Sequence, residues 1–253
     1  MYKTQIACAI FIFYIGILYS RSVGKKTRSS KWFEALLACS FFQLIFDALS
    51  VYTVNHLETV SPVLNRIIHI VFLGLLQVMF YLAYRYLETI IEEEIGRSVR
   101  KYRYAMIPLL LTMAGNIFLP VYYVESARSN YSYGPAVYMT YIGVAVYVLF
   151  IIQLMFRYGK QIPQKKKRAI YVALWSEIPV AIYQIAIPDA LITCIGIVLF
   201  NLGIYMTTEN PDAYWQRDWQ RKSSARILPM RRRRIFLPIC PMKSELLSPL
   251  FWE

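Results

Sequence analysis

Residues 66–87 read RIIHIVFLGLLQVMFYLAYRYL, an apolar run whose only charges are Arg66 at its start and Arg85 near its end. A helix that crosses the hydrocarbon of a bilayer needs about 20 mostly apolar residues, and this stretch supplies them. Working outward, six further runs meet the same test: 4–20, 32–54, 104–124, 137–156, 169–187 and 190–207. The sequence therefore predicts an all-α, polytopic membrane protein of seven transmembrane helices. The composition agrees, with 57% hydrophobic and 17% charged residues in 253, too apolar for an ordinary soluble domain. The first run is expected to be a retained helix rather than a cleaved signal, because its exit, ILYSRSVGKK, offers no small-x-small cleavage site and six more runs follow.

The loops carry the direction. Fifteen basic residues fall on one side: Arg21, Lys25, Lys26, Arg28, Lys31, Arg97, Arg100, Lys101, Arg103, Arg157, Lys160, Lys165, Lys166, Lys167 and Arg168. Three (Lys3, Arg66 and Arg128) fall on the other. The positive-inside rule then predicts N-out/C-in and a multi-pass protein of the plasma membrane. The net charge of +13 is thus mostly topological, and no nucleic-acid partner is expected. The loops on the less basic side are short (NHLETVSPVL, ESARSNYSYGP and AIPDA), so a stimulus from that side must bind between helices or be the membrane itself.

Polar residues inside the runs need a reason, since a charged side chain at the bilayer centre costs roughly 2.5–3.5 kcal/mol on insertion scales. Asp47 shares a helix face with Gln43, Glu177 with Gln184, and His69 roughly with Gln77. Two readings follow. One is a polar seam that specifies packing, with Asn116 and Asn201 contributing. The other is a ligand- or proton-sensing pocket drawn from Asp47, His69, Gln77, Glu177 and Gln184. Pro179, two residues beyond Glu177, predicts a kink in the sixth helix. Arg85 and Glu88 predict an interfacial ion pair, and the acidic triplet 92–94 a solvated helix end. Cys8, Cys39, Cys194 and Cys240 have no metal-ligand spacing, and no metal or cofactor is expected. Gly-rich phosphate loops and nucleophile motifs are missing from the sequence, and the seventh run has no lysine for a retinal Schiff base.

The seventh run ends NLGIYMTTENPDAY. An apolar helix entering T-x-E-N-P-D, together with YSYGPAVYMTY at 131–141, resembles the N-terminal membrane sensor region of bacterial sensor and hybrid histidine kinases. That resemblance implies a signal-input domain over 1–212, with Glu209, Asn210, Pro211 and Asp212 as the signal-output linker. It also implies homodimerisation in the intact relative and a small-molecule or membrane stimulus. A diguanylate cyclase sensor region is an alternative of the same kind, and a small membrane transporter an alternative of another.

Residues 213–253 do not continue the pattern: YWQRDWQRK leads to RRRRIFLPICPMKSELLSPLFWE. As it stands this is a basic tail suited to anionic lipid. The genetic code offers a second reading. Joining the third base of each codon to the first two of the next, Tyr214–Trp215 must encode Leu and Trp215–Gln216 must encode Ala. Asp218–Trp219–Gln220 must encode Leu-Ala, and the intervening codons permit L-A-E-R-L-A-E-K. In the same register residues 238–247 permit N-M-S-H-E-I-R-T-P, with the Glu forced by Met242–Lys243. The final residues permit A-I-L-G, with Leu and Gly forced. N-M-S-H-E-I-R-T-P resembles the phosphoacceptor box of histidine kinases. The expectation is therefore an out-of-frame, disordered 213–253, a kinase half lost to the shift, and no kinase activity in this chain.

Overall fold

A computed structural model of the chain describes residues 2–22, 27–97, 104–126 and 129–206. These residues form seven helices and one short hairpin. The helices are α1 (Lys3–Ser22), α2 (Arg28–Val54), α3 (Pro62–Ile95), α4 (Met106–Phe118), α5 (Pro135–Tyr158), α6 (Gln164–Ala186) and α7 (Thr193–Ile204). Between α4 and α5 lie β1 (Tyr122–Val124) and β2 (Tyr131–Tyr133), paired antiparallel with Tyr123 opposite Ser132. The expected linker Glu209–Asp212 and tail 213–253 lie outside the described residues.

Helix starts follow local chemistry. Thr27 accepts a hydrogen bond from the Ser30 amide at the head of α2, and Ser61 does the same for Leu64 ahead of Pro62 in α3. Each hydroxyl satisfies an amide that has no partner within the helix, and Pro62 occupies a position where a missing N–H costs nothing. α5 opens at Pro135 after Gly134, whose φ of 115° admits few residues but glycine.

α3 is the centre of the bundle. It packs most extensively against α2 and also against α4 and α5, while α1 lies on α2, and α6 pairs with α7. α7 in turn reaches α1 and α2. Aromatic contacts show that α1 and α2 run antiparallel: Tyr2 meets Tyr52, Phe13 meets Phe41, and Tyr19 meets Phe33, with ring centroids 6.0, 5.6 and 5.0 Å apart. Below, the bundle is described by its two ends, the hairpin end (Val54, Pro62, β1–β2) and the opposite, basic end (Ser22, Arg28, Ile95, Arg157).

Four helices, α1, α2, α3 and α5, are long and apolar enough to cross a membrane, while α4 and α7 are shorter apolar helices. Large apolar side chains face outward around the bundle, among them Ile10, Phe13, Leu110, Leu149, Phe156, Trp175 and Ile182. A water-soluble monomer rarely exposes so much apolar surface, and these faces suit contact with lipid.

Two local expectations change. The run 104–124 is not one helix: α4 stops at Phe118 and the chain enters a strand. Pro120 disfavours helical backbone at Leu119, which is extended (φ −81°, ψ 147°). The acidic triplet is not a free helix end either. Glu92 pairs with Arg28 at 3.5 Å and Glu94 with Lys166 at 2.6 Å. Glu93 accepts hydrogen bonds from the Ser29 amide and hydroxyl at 2.9 and 2.7 Å. The three carboxylates thus tie α3 to the starts of α2 and α6. Arg85 and Glu88 do pair as expected, and the guanidinium lies over the Trp32 ring at 5.1 Å.

Candidate functional site

Of the polar residues expected to share one pocket, four are distributed over two clusters and Gln184 lies apart. The first joins α3, α4 and α5. Gln77 is fully buried, donating to Thr140 Oγ1 at 3.2 Å and accepting from Thr112 Oγ1 at 2.9 Å. Thr140 also lies 3.1 Å from Asn116 Oδ1, so one chain of hydrogen bonds crosses three helices. Two turns along α3 toward the hairpin end, His69 bonds through Nδ1 to the Asn65 carbonyl at 2.9 Å and stacks edge-on against Tyr123 at 5.2 Å. Asn65 reaches α2, where its Oδ1 accepts from Thr53 at 2.7 Å. Arg66 Nη2 donates to the carbonyls of Asn116 (2.9 Å), Ile117 (3.2 Å) and Leu119. These are carbonyls that the last turn of a helix leaves unpaired, so Arg66 holds the end of α4. Burial raises the Tyr123 phenol above the ordinary tyrosine range, against the opposing pull of the Arg66 guanidinium.

The second cluster surrounds α7. Asp47 lies on the face of α2 that meets α7. One and two turns further, Gln43 and Ser40 line the same side of α2, and Ser40 accepts a 3.0 Å hydrogen bond from Asn201 of α7. Gln43 is fully buried, and both ends of its amide are without a hydrogen-bond partner. On the far side of α7, Glu177 of α6 faces Gly196: a Cβ there would stand 2.9 Å from Oε2 and 3.0 Å from Val180 Cγ1. Only glycine lets the carboxyl approach α7 so closely. Asn201 and Gly196 are five residues apart, which sets them on largely opposite sides of the helix. α7 therefore runs between the two carboxyl groups, with Asp47 on one flank and Glu177 on the other.

Gln184 belongs to neither cluster. Its Nε2 donates to the Pro188 carbonyl at 2.8 Å and its Oε1 accepts from the Ile192 amide at 2.9 Å. It braces the tight turn through Pro188–Ala190, in which Leu191 has a positive φ of 51°. The Asp189 carboxylate of that turn accepts from Ser126 beside the hairpin at 2.8 Å. Asn55 and Asn130 tie the other side of the hairpin to the end of α2.

Sequence reasoning found the carboxyls, His69 and Gln77 because a polar side chain in an apolar run stands out. It missed Asn65, Thr112, Thr140 and Arg66 as partners, since Thr is unremarkable in a membrane helix and Arg66 reads as a loop charge. Among the described residues no group of three His, Cys, Asp or Glu is placed to hold a metal ion. Compared with known proteins, the chain matches no family model, no curated protein and no solved structure.

Proposed function

We propose that residues 1–212 form a membrane-embedded signal-input module of the kind that drives a two-component sensor histidine kinase, with seven crossings of the plasma membrane, N-out/C-in. The observation that carries this reading is the run from α7 into E-N-P-D followed by codons that, one base out of register, permit a linker and N-M-S-H-E-I-R-T-P. The geometry supports it in one respect. α7, the helix that leads into Glu209–Asp212, is the one held between two carboxyls, so a stimulus that alters either flank alters the helix carrying the output. A two-state element biased in this way is the physical requirement for a switch.

In this reading the hairpin end faces outward and the acidic clasp at 92–94 lies at the cytoplasmic face. α4, α6 and α7 complete the seven crossings. The module dimerises in the intact relative, and this chain has no kinase activity, because no phosphoacceptor histidine is encoded in its printed frame.

The deciding experiment is the nucleotide sequence across codons 210–260. The reading requires an open shifted frame that continues into an ATP-binding kinase domain, and stop codons there, or an unrelated continuation, would sink it. A second arm restores the frame by inserting one base near codon 214 and assays autophosphorylation with labelled ATP. The 253-residue chain should incorporate no phosphate and the restored one should. A flux assay in vesicles separates the transporter alternative: Asp47→Asn with Glu177→Gln should abolish solute flux in a transporter, whereas an input module shows no flux to lose.

A further inference from the structure

α6 is fastened more firmly at one end than at the other. Near the basic end Ile170 is buried in the main apolar core, Leu174 packs against that core, and Lys166 pairs with Glu94 of α3 at 2.6 Å. Beyond Ile170 no described residue of α6 is buried, and Ile178, Ile182 and Ile185 face outward. Pro179 stands where the anchored part ends. It has no N–H to offer the Trp175 carbonyl, so the backbone ladder of α6 lacks a bond there. A helix bends most readily at such a break. Past the proline the chain runs into a turn that keeps its own shape, because Gln184 bonds both the Pro188 carbonyl and the Ile192 amide. That turn meets the hairpin through a hydrogen bond from Ser126 Oγ to Asp189 Oδ2 at 2.8 Å.

The outer half of α6 rests on α7. Between helices in lipid the hydrophobic effect contributes little, because acyl chains are as apolar as the side chains they replace. Close packing and hydrogen bonds hold such helices together, and a bond to a carboxylate is among the stronger ones. The Ser126–Asp189 bond therefore carries a large part of what keeps this segment in place. What the segment covers is the Glu177 flank of α7. Glu177 and Val180 bracket Pro179, and both lie against Gly196. In this closed arrangement Glu177 Oε1 is buried and has no hydrogen-bond partner. Water admitted from the hairpin end would satisfy an oxygen that closure leaves bare, which lowers the cost of opening. We propose that residues 179–190 form a gate over the Glu177 flank of α7, hinged at Pro179 and latched to the hairpin by Asp189 and Ser126. The gate gives the signal-input reading a route from the hairpin end to α7, and rests on that reading only for this consequence.

The test uses the full chain with its four cysteines changed to Ser, in nanodiscs of phosphatidylcholine, with pairs of spin labels read by pulsed electron resonance. An outer pair joins Ile182→Cys to Ile195→Cys, and an inner pair joins Tyr171→Cys to Met206→Cys, all at exposed positions. Ser126→Ala and Asp189→Ala should each raise the share of long outer distances at least threefold and leave the inner pair unchanged. The double variant should do no more than either alone. Exchanging the partners, Ser126→Asp with Asp189→Ser, re-forms the bond with donor and acceptor reversed and should return the native distribution. Pro179→Ala restores the missing backbone bond and should suppress the long distances even with the latch broken. The proposal is overturned if neither single variant changes the outer pair, or if the inner pair changes as much. It is equally overturned if the exchanged pair behaves like a broken latch, or if Pro179→Ala leaves the long distances in place. A gate that opens while the frame-restored kinase ignores it would stand, and would count against the input reading alone.

Discussion

At Gly196 a single missing methyl group sets how closely α6 and α7 approach. A Cβ would meet Glu177 Oε2 at 2.9 Å and Val180 Cγ1 at 3.0 Å, so one or both side chains must shift to admit it. Gly196→Ala should therefore destabilise the protein by about 1–3 kcal/mol, the usual cost of overpacking. Combining it with Glu177→Ala should recover part of the loss. Denaturant unfolding in detergent checks both, and an additive double variant would mean that the two residues do not touch. Gln77 makes the opposite kind of contact. Removing its amide with Gln77→Leu leaves the Thr112 and Thr140 hydroxyls to re-pair within their own helices, with Pro108, Leu109 and Ala136 carbonyls already in reach. The expected loss is about 1 kcal/mol, in keeping with the modest worth of hydrogen bonds between membrane helices. A loss several-fold larger would show that the three-helix chain acts as a unit.

Among the elements, α3 is organised by what happens beyond its apolar stretch. The sequence marked its interior but not its ends, where Glu92, Glu93 and Glu94 each engage a different partner. The Lys166–Glu94 pair is partly solvated, so deleting either charge should cost under about 1 kcal/mol. Reversing one charge is more informative. Lys166→Glu places a fourth carboxylate beside the triplet and should loosen the start of α6, read as faster amide hydrogen exchange over residues 164–170. Adding Glu94→Lys should restore the native rate, and failure to restore it would assign the effect to another contact. α4 teaches the same lesson from its other end. Its apolar run continues past Phe118, but Pro120 and the Arg66 guanidinium close the helix there, and only the second of these needed the tertiary structure to be seen.

For the whole molecule, the outward-facing apolar side chains and four long apolar helices suit contact with lipid, and the loop charges underlie the proposed direction. In a background with the four cysteines changed to Ser, Glu58→Cys lies at the hairpin end and Lys160→Cys at the basic end, and both positions are exposed. A membrane-impermeant maleimide applied to intact cells should label the residue-58 thiol and spare the residue-160 thiol until the cells are opened. The reverse pattern would invert the proposed topology.

The sequence by itself determined the helical class, the location of most helices, the apolar surface and the asymmetry of charge, because each depends on composition and spacing along a single run. The proposed function also rests on the sequence, on codons that one base out of register permit a kinase box. Only the tertiary structure decided which polar residues meet. Asp47, His69, Gln77, Glu177 and Gln184 look alike in the sequence, as isolated polar groups on apolar helices. Their partners come from other helices: Gln77 bonds Thr112 and Thr140, Glu177 lies against Gly196, and Gln184 turns back on its own loop. A helix face can be read from a period of 3.6, but the face it meets depends on how the helices are arranged around α3. Packing alone set α7 between two carboxyls and brought Arg66 to the end of α4.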